Sequence, residues 1–272
     1  MLENEVLYSK ENGVATITFN RPDKLNALAF EQQQRLGLLV EEIKKDEEVR
    51  VVILTGAWRA FCAGADLTGG DLPSVKQAAN FQQRGINDAK RKVSTYDPGS
   101  PWALLSIAKP TICAINGPAV GMGAEYTLLC DIRIASKTAR WGEVFVRRGL
   151  TPDHGAGTYL LPRIVGLSKA CELVFSGRII DADEMLRIGL VSSVVPPEQL
   201  MSAANEMAAE LKKGAPLAVQ MAKQLMYLGL DRTVQDHIIA SRAAFTLANQ
   251  TQDYKEGVKS FLEKREPRWV GQ

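Results

Sequence analysis

Histidine is nearly missing from this 272-residue chain: only His154 and His237 occur. Cysteine is sparse as well, four in all, with no C-x-x-C pair, and no H-E-x-x-H run exists. A protein-built zinc site has no ligand set here, so no metal is expected. Cys62, Cys113, Cys130 and Cys171 stand in apolar surroundings without close pairing. They read as buried thiols of a reducing compartment. With the acidic, polar start Met-Leu-Glu-Asn-Glu, this makes the cytoplasm the expected location. No apolar run reaches the roughly 18 residues that a membrane helix needs, so no membrane partner is expected. There is no G-x-S-x-G, which excludes the nucleophile elbow of serine hydrolases. Charge of one sign is not in excess either, since 33 basic and 31 acidic residues leave +2. Nucleic acid is therefore not an expected partner.

What is present is apolar: 46% of the residues, enough for a sizeable core in one large domain or a domain with a helical appendage. Val14 to Phe19 alternates as a strand does, with Ala15, Ile17 and Phe19 on one side. Asn20-Arg21-Pro22-Asp23-Lys24 ends it, and Asn26 is placed to cap a helix carrying Leu28, Leu36, Leu39, Val40 and Ile43 at helical spacing. Val49 to Thr55 and Thr111 to Ile115 read as buried strands, Asp131 to Ala135 as another, and Thr158 to Val165 as helical. Gly69 to Pro101 shows no clear period, although Gln77 to Lys92 fits a polar helix; long connections of this kind often bind ligands. After Val194-Val195-Pro196-Pro197 the pattern changes, and residues 198 to 265 carry helical spacing without a strand. The front of the chain is α/β and the tail all helix.

The stretch on which the rest turns is Ala114 to Glu125, Ala-Ile-Asn-Gly-Pro-Ala-Val-Gly-Met-Gly-Ala-Glu. An apolar run ends in the turn signal Asn116-Gly117-Pro118, and Gly121 and Gly123 bracket Met122 before helix-compatible residues. The first N–H groups of a helix starting there have no partner inside it and can hold an oxygen that gains negative charge. Glu125 falls in the first turn. A plain packing helix has the same look. The dinucleotide fingerprint is excluded, because Tyr126 stands where the third glycine belongs.

Several motifs now coincide: Asn20-Arg21-Pro22 with Asn26-Ala27-Leu28, Phe61-Cys62-Ala63-Gly64-Ala65-Asp66-Leu67, Lys109-Pro110, Asn116-Gly117, Gly121 to Glu125, Cys130-Asp131-Ile132, Leu161-Pro162-Arg163 and Gly189-Leu190-Val191. In this order and spacing, and over almost the whole chain, they resemble the crotonase superfamily, the enoyl-CoA hydratase/isomerase group. The resemblance implies a crotonase-like spiral of ββα repeats over residues 1–197, and a helical region over 198–272 that builds a homotrimer or a dimer of trimers. It implies an acyl-CoA thioester as substrate, with coenzyme A part of that substrate and no separate cofactor. By position, the oxyanion donors are the N–H groups of Ala65 and Met122, Met standing where relatives carry Gly and placing a side chain near the thioester. Ala63, Gly64, Ala65, Asp66 and Leu67 match the stretch that lies along coenzyme A, and Gly123 belongs to the same pocket. Lys24, Phe261 and Lys264 match positions that contact its phosphate or adenine.

The reaction is less sharply implied. Of the two glutamates with which hydratases hold a water, the first matches Glu125, but the second falls on Phe145. Glu143, two residues away, would face elsewhere on a strand or a helix, leaving the pair incomplete. Asp153, in Leu-Thr-Pro-Asp, matches the working carboxylate of enoyl-CoA and dienoyl-CoA isomerases, the ring-epoxide isomerase and the chlorobenzoyl-CoA dehalogenase; without that context it reads as a helix cap. A carboxylate in an apolar acyl pocket has a raised pKa, which suits proton transfer near neutral pH. The expectation is double-bond isomerisation through an enolate, with Asp153 as acid/base and Glu125 assisting. Hydration comes second, and ring-epoxide isomerisation, acyl-CoA hydrolysis and dehalogenation stay open. His154 is expected to face solvent or make a structural hydrogen bond. A non-catalytic acyl-CoA binder is disfavoured by Glu125 and Asp153. An RNA binder is disfavoured by the glutamates interspersed on the first helix.

Overall fold

The computed structural model describes residues 4–66, 101–152 and 155–272. Its centre is a six-stranded sheet. β1 (Val6–Glu11) pairs antiparallel with β2 (Val14–Phe19). From there β3 (Val51–Gly56), β4 (Thr111–Ile115), β6 (Ile132–Ser136) and β9 (Ser193–Val195) add in parallel. A three-stranded sheet of β5 (Pro118–Val120), β7 (Arg140–Gly142) and β8 (Ile180–Asp181) stands beside it.

The period-two pattern assigns each face of the main sheet. Val52 and Leu54 of β3 join the large core with Leu36, Leu39, Val40 and Ile43 of α1 (Phe30–Lys45). Val51 and Ile53, with Ile112, Ala114 and Ile134, pack instead on Leu200, Ala204 and Ala208 of α7 (Leu200–Leu211). Strands covered on both faces read as continuous apolar runs, which is how β3 and β4 look in the sequence. Between strands run α2 (Met122–Leu128), α3 (Ala156–Tyr159), α4 (Leu161–Val165), α5 (Leu167–Ser176) and α6 (Ala182–Arg187). The helical pattern at 158–165 resolves into two short helices, because Pro162 lies in the first turn of α4 and cannot donate a helix hydrogen bond.

Further along the tail run α8 (Pro216–Leu228), α9 (Val234–Ala248) and α10 (Gln252–Glu263). A buried polar knot pins α8 to the core. Lys223 Nζ lies 2.8 Å from Asp131 Oδ2 and donates to the Lys109 carbonyl at 3.1 Å. Tyr227 donates to Asp131 Oδ1 at 2.8 Å, and Thr111 N donates to Asp131 Oδ2 at 2.7 Å. Lys109 itself caps α1, donating to the carbonyls of Ile43 and Asp46. Burial lowers its pKa. No helix among the described residues is long and apolar enough to cross a membrane.

Two sequence expectations need correction. Asn26 does not cap α1: the helix starts after Ala29, and Asn26 is buried with φ +59°. Cap composition tells nothing of where the chain turns, and Asn26 is used as a staple. Of the four free thiols, Cys62, Cys113 and Cys130 are buried, but Cys171 is only half-buried, on α5.

Candidate active site

The site forms where the loop after β3 meets the start of α2. Two asparagines hold that loop. Asn26 Nδ2 donates to the carbonyls of Ala57 and Ala60 at 2.9 and 2.7 Å, while its Oδ1 accepts from Arg21 N at 2.8 Å. Asn116, at the end of β4, donates to the carbonyls of Trp58 and Ala60 and accepts from Gly56 N at 3.2 Å. The chain then runs along β5, with Phe61 N and Cys62 N both donating to Pro118 O and Val120 N donating to Cys62 O, each at 3.0 Å.

The next residues pass Leu28. Leu28 N donates to Gly64 O at 2.9 Å, and Asp66 N donates to Leu28 O at 3.0 Å. In this parallel bridge the N–H of Ala65 points away from Leu28. A Cβ on Gly64 would lie 3.8 Å from Met122 N, so the Gly64–Ala65 peptide lies beside the first N–H of α2. Neither Ala65 N nor Met122 N donates to a described residue. The approach depends on Gly123, where a Cβ would collide with the carbonyl of Cys62. Two unused N–H donors side by side are suited to receive one oxygen atom. The Met122 side chain is buried with the core and leaves its N–H in place.

α2 is held firmly. All seven of its residues are buried, Tyr126 stacks edge-on to Phe19 at 5.6 Å, and Thr127 Oγ1 accepts from the buried Trp141 indole at 2.9 Å. Glu125, in its first turn, is fully buried and accepts from Gly157 N of α3 at 3.2 Å through Oε1. The edge of the buried Phe145 ring would lie 3.8 Å from a Cβ on Gly121. Burial pushes the Cys62 thiol up to about 12, which removes it as a nucleophile near neutral pH.

On a strand or a helix Glu143 would not point the way position 145 does, but that premise does not hold here. The residue is on neither a strand nor a helix: it follows β7 and precedes a 3-10 turn over Val144–Arg148. Its fully buried carboxylate lies against Gly157, the residue that holds Glu125. Regular periodicity did not apply at this junction, so no pattern in the sequence could reveal it.

The remaining expected residues are placed unevenly. Asp66 pairs with Arg21 at 2.9 Å, and Arg21 also donates to Ala27 O at 2.8 Å, which gives the Asn-Arg-Pro motif a structural role. Ala63 N donates to Leu25 O at 3.0 Å, and the half-buried Lys24 lies just before it on the turn Pro22–Lys24. Phe261 is 82% exposed near the end of α10, and Lys264 is its left-handed C-cap. Phe261 borders an apolar groove of about 530 Å³ with Ala218, Ala248, Tyr254 and Trp269. No hydrogen bond or ion pair among the described residues joins Phe261 or Lys264 to Ala65 or Met122. Leu67, Asp153, His154 and the helix expected over Gln77 to Lys92 lie outside the described residues. Among the described residues no three His, Cys, Asp or Glu side chains are grouped to hold a metal ion.

The sheet order, the paired loops and the helical tail define an enzyme of the crotonase superfamily. The model of the family "Enoyl-CoA hydratase/isomerase" matches residues 9–272, and the chain belongs to that family. It is 39% identical over 263 residues to a short-chain-enoyl-CoA hydratase of Clostridium acetobutylicum, covering 96% of each chain. It is 34% identical over 269 residues to a 1,2-epoxyphenylacetyl-CoA isomerase of Escherichia coli K12, covering 98% of each. A crystal structure of an enoyl-CoA hydratase from Bacillus anthracis superposes with a TM-score of 0.88 at 32% identity, covering 98% of this chain and all of that one.

Proposed function

We propose that this enzyme moves a proton along the acyl chain of a coenzyme A thioester, isomerising a double bond through an enolate. The observation that carries the reading is the pair of unused N–H groups, Ala65 and Met122, beside a buried carboxylate, Glu125. A thioester oxygen gains negative charge when its α-carbon loses a proton. Two aimed donors stabilise that charge by about 3 to 4 kcal/mol each. Asp153 is the acid/base of this reading by its family position, and Glu125 assists. Phe145 supports isomerisation over hydration, because an apolar ring stands where a hydratase carries its second glutamate.

Hydration is the second reading. Glu143 favours it, as a further carboxylate meeting Gly157 beside Glu125, and the Clostridium relative bears a hydratase name. A panel of 2-enoyl-, 3-enoyl- and aryl-CoA thioesters, followed by mass and ultraviolet absorbance, separates the two. Isomerisation changes absorbance at constant mass, whereas hydration adds the mass of water. Asp153→Asn is expected to abolish turnover nearly completely while coenzyme A binding persists. Full activity in that variant removes Asp153 from the mechanism.

The ligand contacts of this reading are Ala63, Gly64, Asp66, Leu67 and Gly123 along the thioester arm, with Lys24, Phe261 and Lys264 toward the phosphates and adenine. Residues 1–197 form the catalytic spiral, and residues 198–272 the region through which chains assemble as trimers or pairs of trimers. No cofactor beyond the substrate's own coenzyme A takes part, and the enzyme works in the cytoplasm.

A further inference from the structure

Glu143 has no role in the isomerisation proposed above, yet its burial is complete. A buried carboxylate costs more than an apolar side chain of the same size, wherever its partners lie. Its position is specific. A Cβ on Gly157 would lie 2.7 Å from the Glu143 carboxylate carbon and 2.9 Å from each of its oxygens, so the carboxylate fills the place of a side chain at 157. The N–H of that same Gly157 donates to Glu125 Oε1 at 3.2 Å. The preceding residue, Gly142, accepts from Gly121 N at 2.9 Å, one residue before α2 and its Met122 N–H. Residues 142 and 143 thus touch both ends of the arrangement: the backbone holds the entry to α2, and the carboxylate sets the face of α3 on which Glu125 rests.

We propose that Glu143 is a positioning residue for the reaction at Glu125. By fixing Gly157 it fixes the hydrogen bond to Glu125 Oε1 and with it the orientation of the Glu125 carboxylate. The inference rests on Glu125 acting on an acyl-CoA, as proposed above. It goes further, because it gives a buried residue outside the family pair control over the orientation of that carboxylate. Displacing a reacting group by about 1 Å can cost roughly 100-fold in rate.

The test compares Glu143→Gln, which keeps the shape, with Glu125→Gln and the parent chain on the 2-enoyl-, 3-enoyl- and aryl-CoA panel. Thermal unfolding is followed in parallel. The expected result is a folded Glu143→Gln enzyme with kcat lowered roughly 10- to 100-fold and KM within about twofold of the parent. Gly157→Ala, which pushes the carboxylate aside while keeping it, is expected to reproduce that loss. A folded Glu143→Gln enzyme with parental kcat overturns the proposal. So does a variant that no longer folds, since Glu143 would then be a structural residue. Failure of the underlying reading looks different: no thioester is turned over by the parent, or Glu125→Gln is as active as the parent.

Discussion

At the scale of single residues, the proposed reaction gathers around one helix start. Glu125 is buried, accepts from Gly157 N and stands one turn from the Met122 N–H. Replacing it by Gln keeps the bond to Gly157 N and removes the carboxylate that assists Asp153 in the proposed reaction, so kcat is expected to fall by roughly 10²- to 10⁴-fold with little change in melting temperature. Steady-state kinetics beside a thermal melt checks this, and an unchanged kcat would assign Glu125 to structure. Glu125 was legible because glycine-bracketed Met122 marks a helix start, and the first acidic residue of such a helix has a fixed direction. Glu143 was not, because its backbone follows neither period at the junction of β7 and the turn after it. Asn26 was misplaced for a related reason. Its composition suits a cap, but its left-handed backbone turns the side chain toward the loop after β3, and only coordinates show that.

Among elements, the decisive contact is between α2 and the strand-like run Cys62–Ala65. Gly123→Ala inserts a methyl into the Cys62 carbonyl and must push the two apart. Turnover is expected to drop by about 10²- to 10³-fold as the paired donors separate. Overpacking should also cost roughly 1 to 3 kcal/mol of stability. Kinetics and denaturant melts read both. A second element-scale prediction concerns the chain end. Glu256 of α10 accepts from Arg265 at 2.6 and 2.9 Å and from Arg268 N at 2.8 Å, and these bonds hold its carboxyl near 2, below an ordinary 4.5. A depressed folded pKa means that the stabilisation is complete above 4.5 and is lost as pH falls through about 2. The end carrying Trp269, whose indole donates to Lys213 O at 2.7 Å, should come loose across that window. Tryptophan fluorescence of Glu256→Gln against the parent checks it: a difference at neutral pH that closes in acid is expected, and identical titrations would refute it. The long elements β2, β3 and β4 were legible from their apolar pattern. The sheet of β5, β7 and β8 was not, since strands of two or three residues carry too few side chains to show a period.

For the whole molecule, family and fold were legible because the motifs lie in chain order at the loops where the sheet meets its helices. The reaction was less so, because the carboxylates of Glu125 and Glu143 that come together at Gly157 belong to residues apart in sequence. The helical tail leaves large apolar side chains in solvent, among them Met226 at 73%, Val234 at 77% and Phe245 at 68% exposed. Exposed apolar side chains of this size are consistent with the proposed assembly through the tail. Light scattering is expected to give three or six times the 29.8 kDa chain, and Phe245→Asp to lower that mass; a monomer in the parent would contradict the assembly. The account as a whole stands on two backbone donors meeting one oxygen. The most direct measurement is a crystal structure with a saturated acyl-CoA bound. The thioester oxygen is predicted to lie about 2.7 to 3.1 Å from both Ala65 N and Met122 N. A thioester bound with its oxygen turned away from both would contradict it.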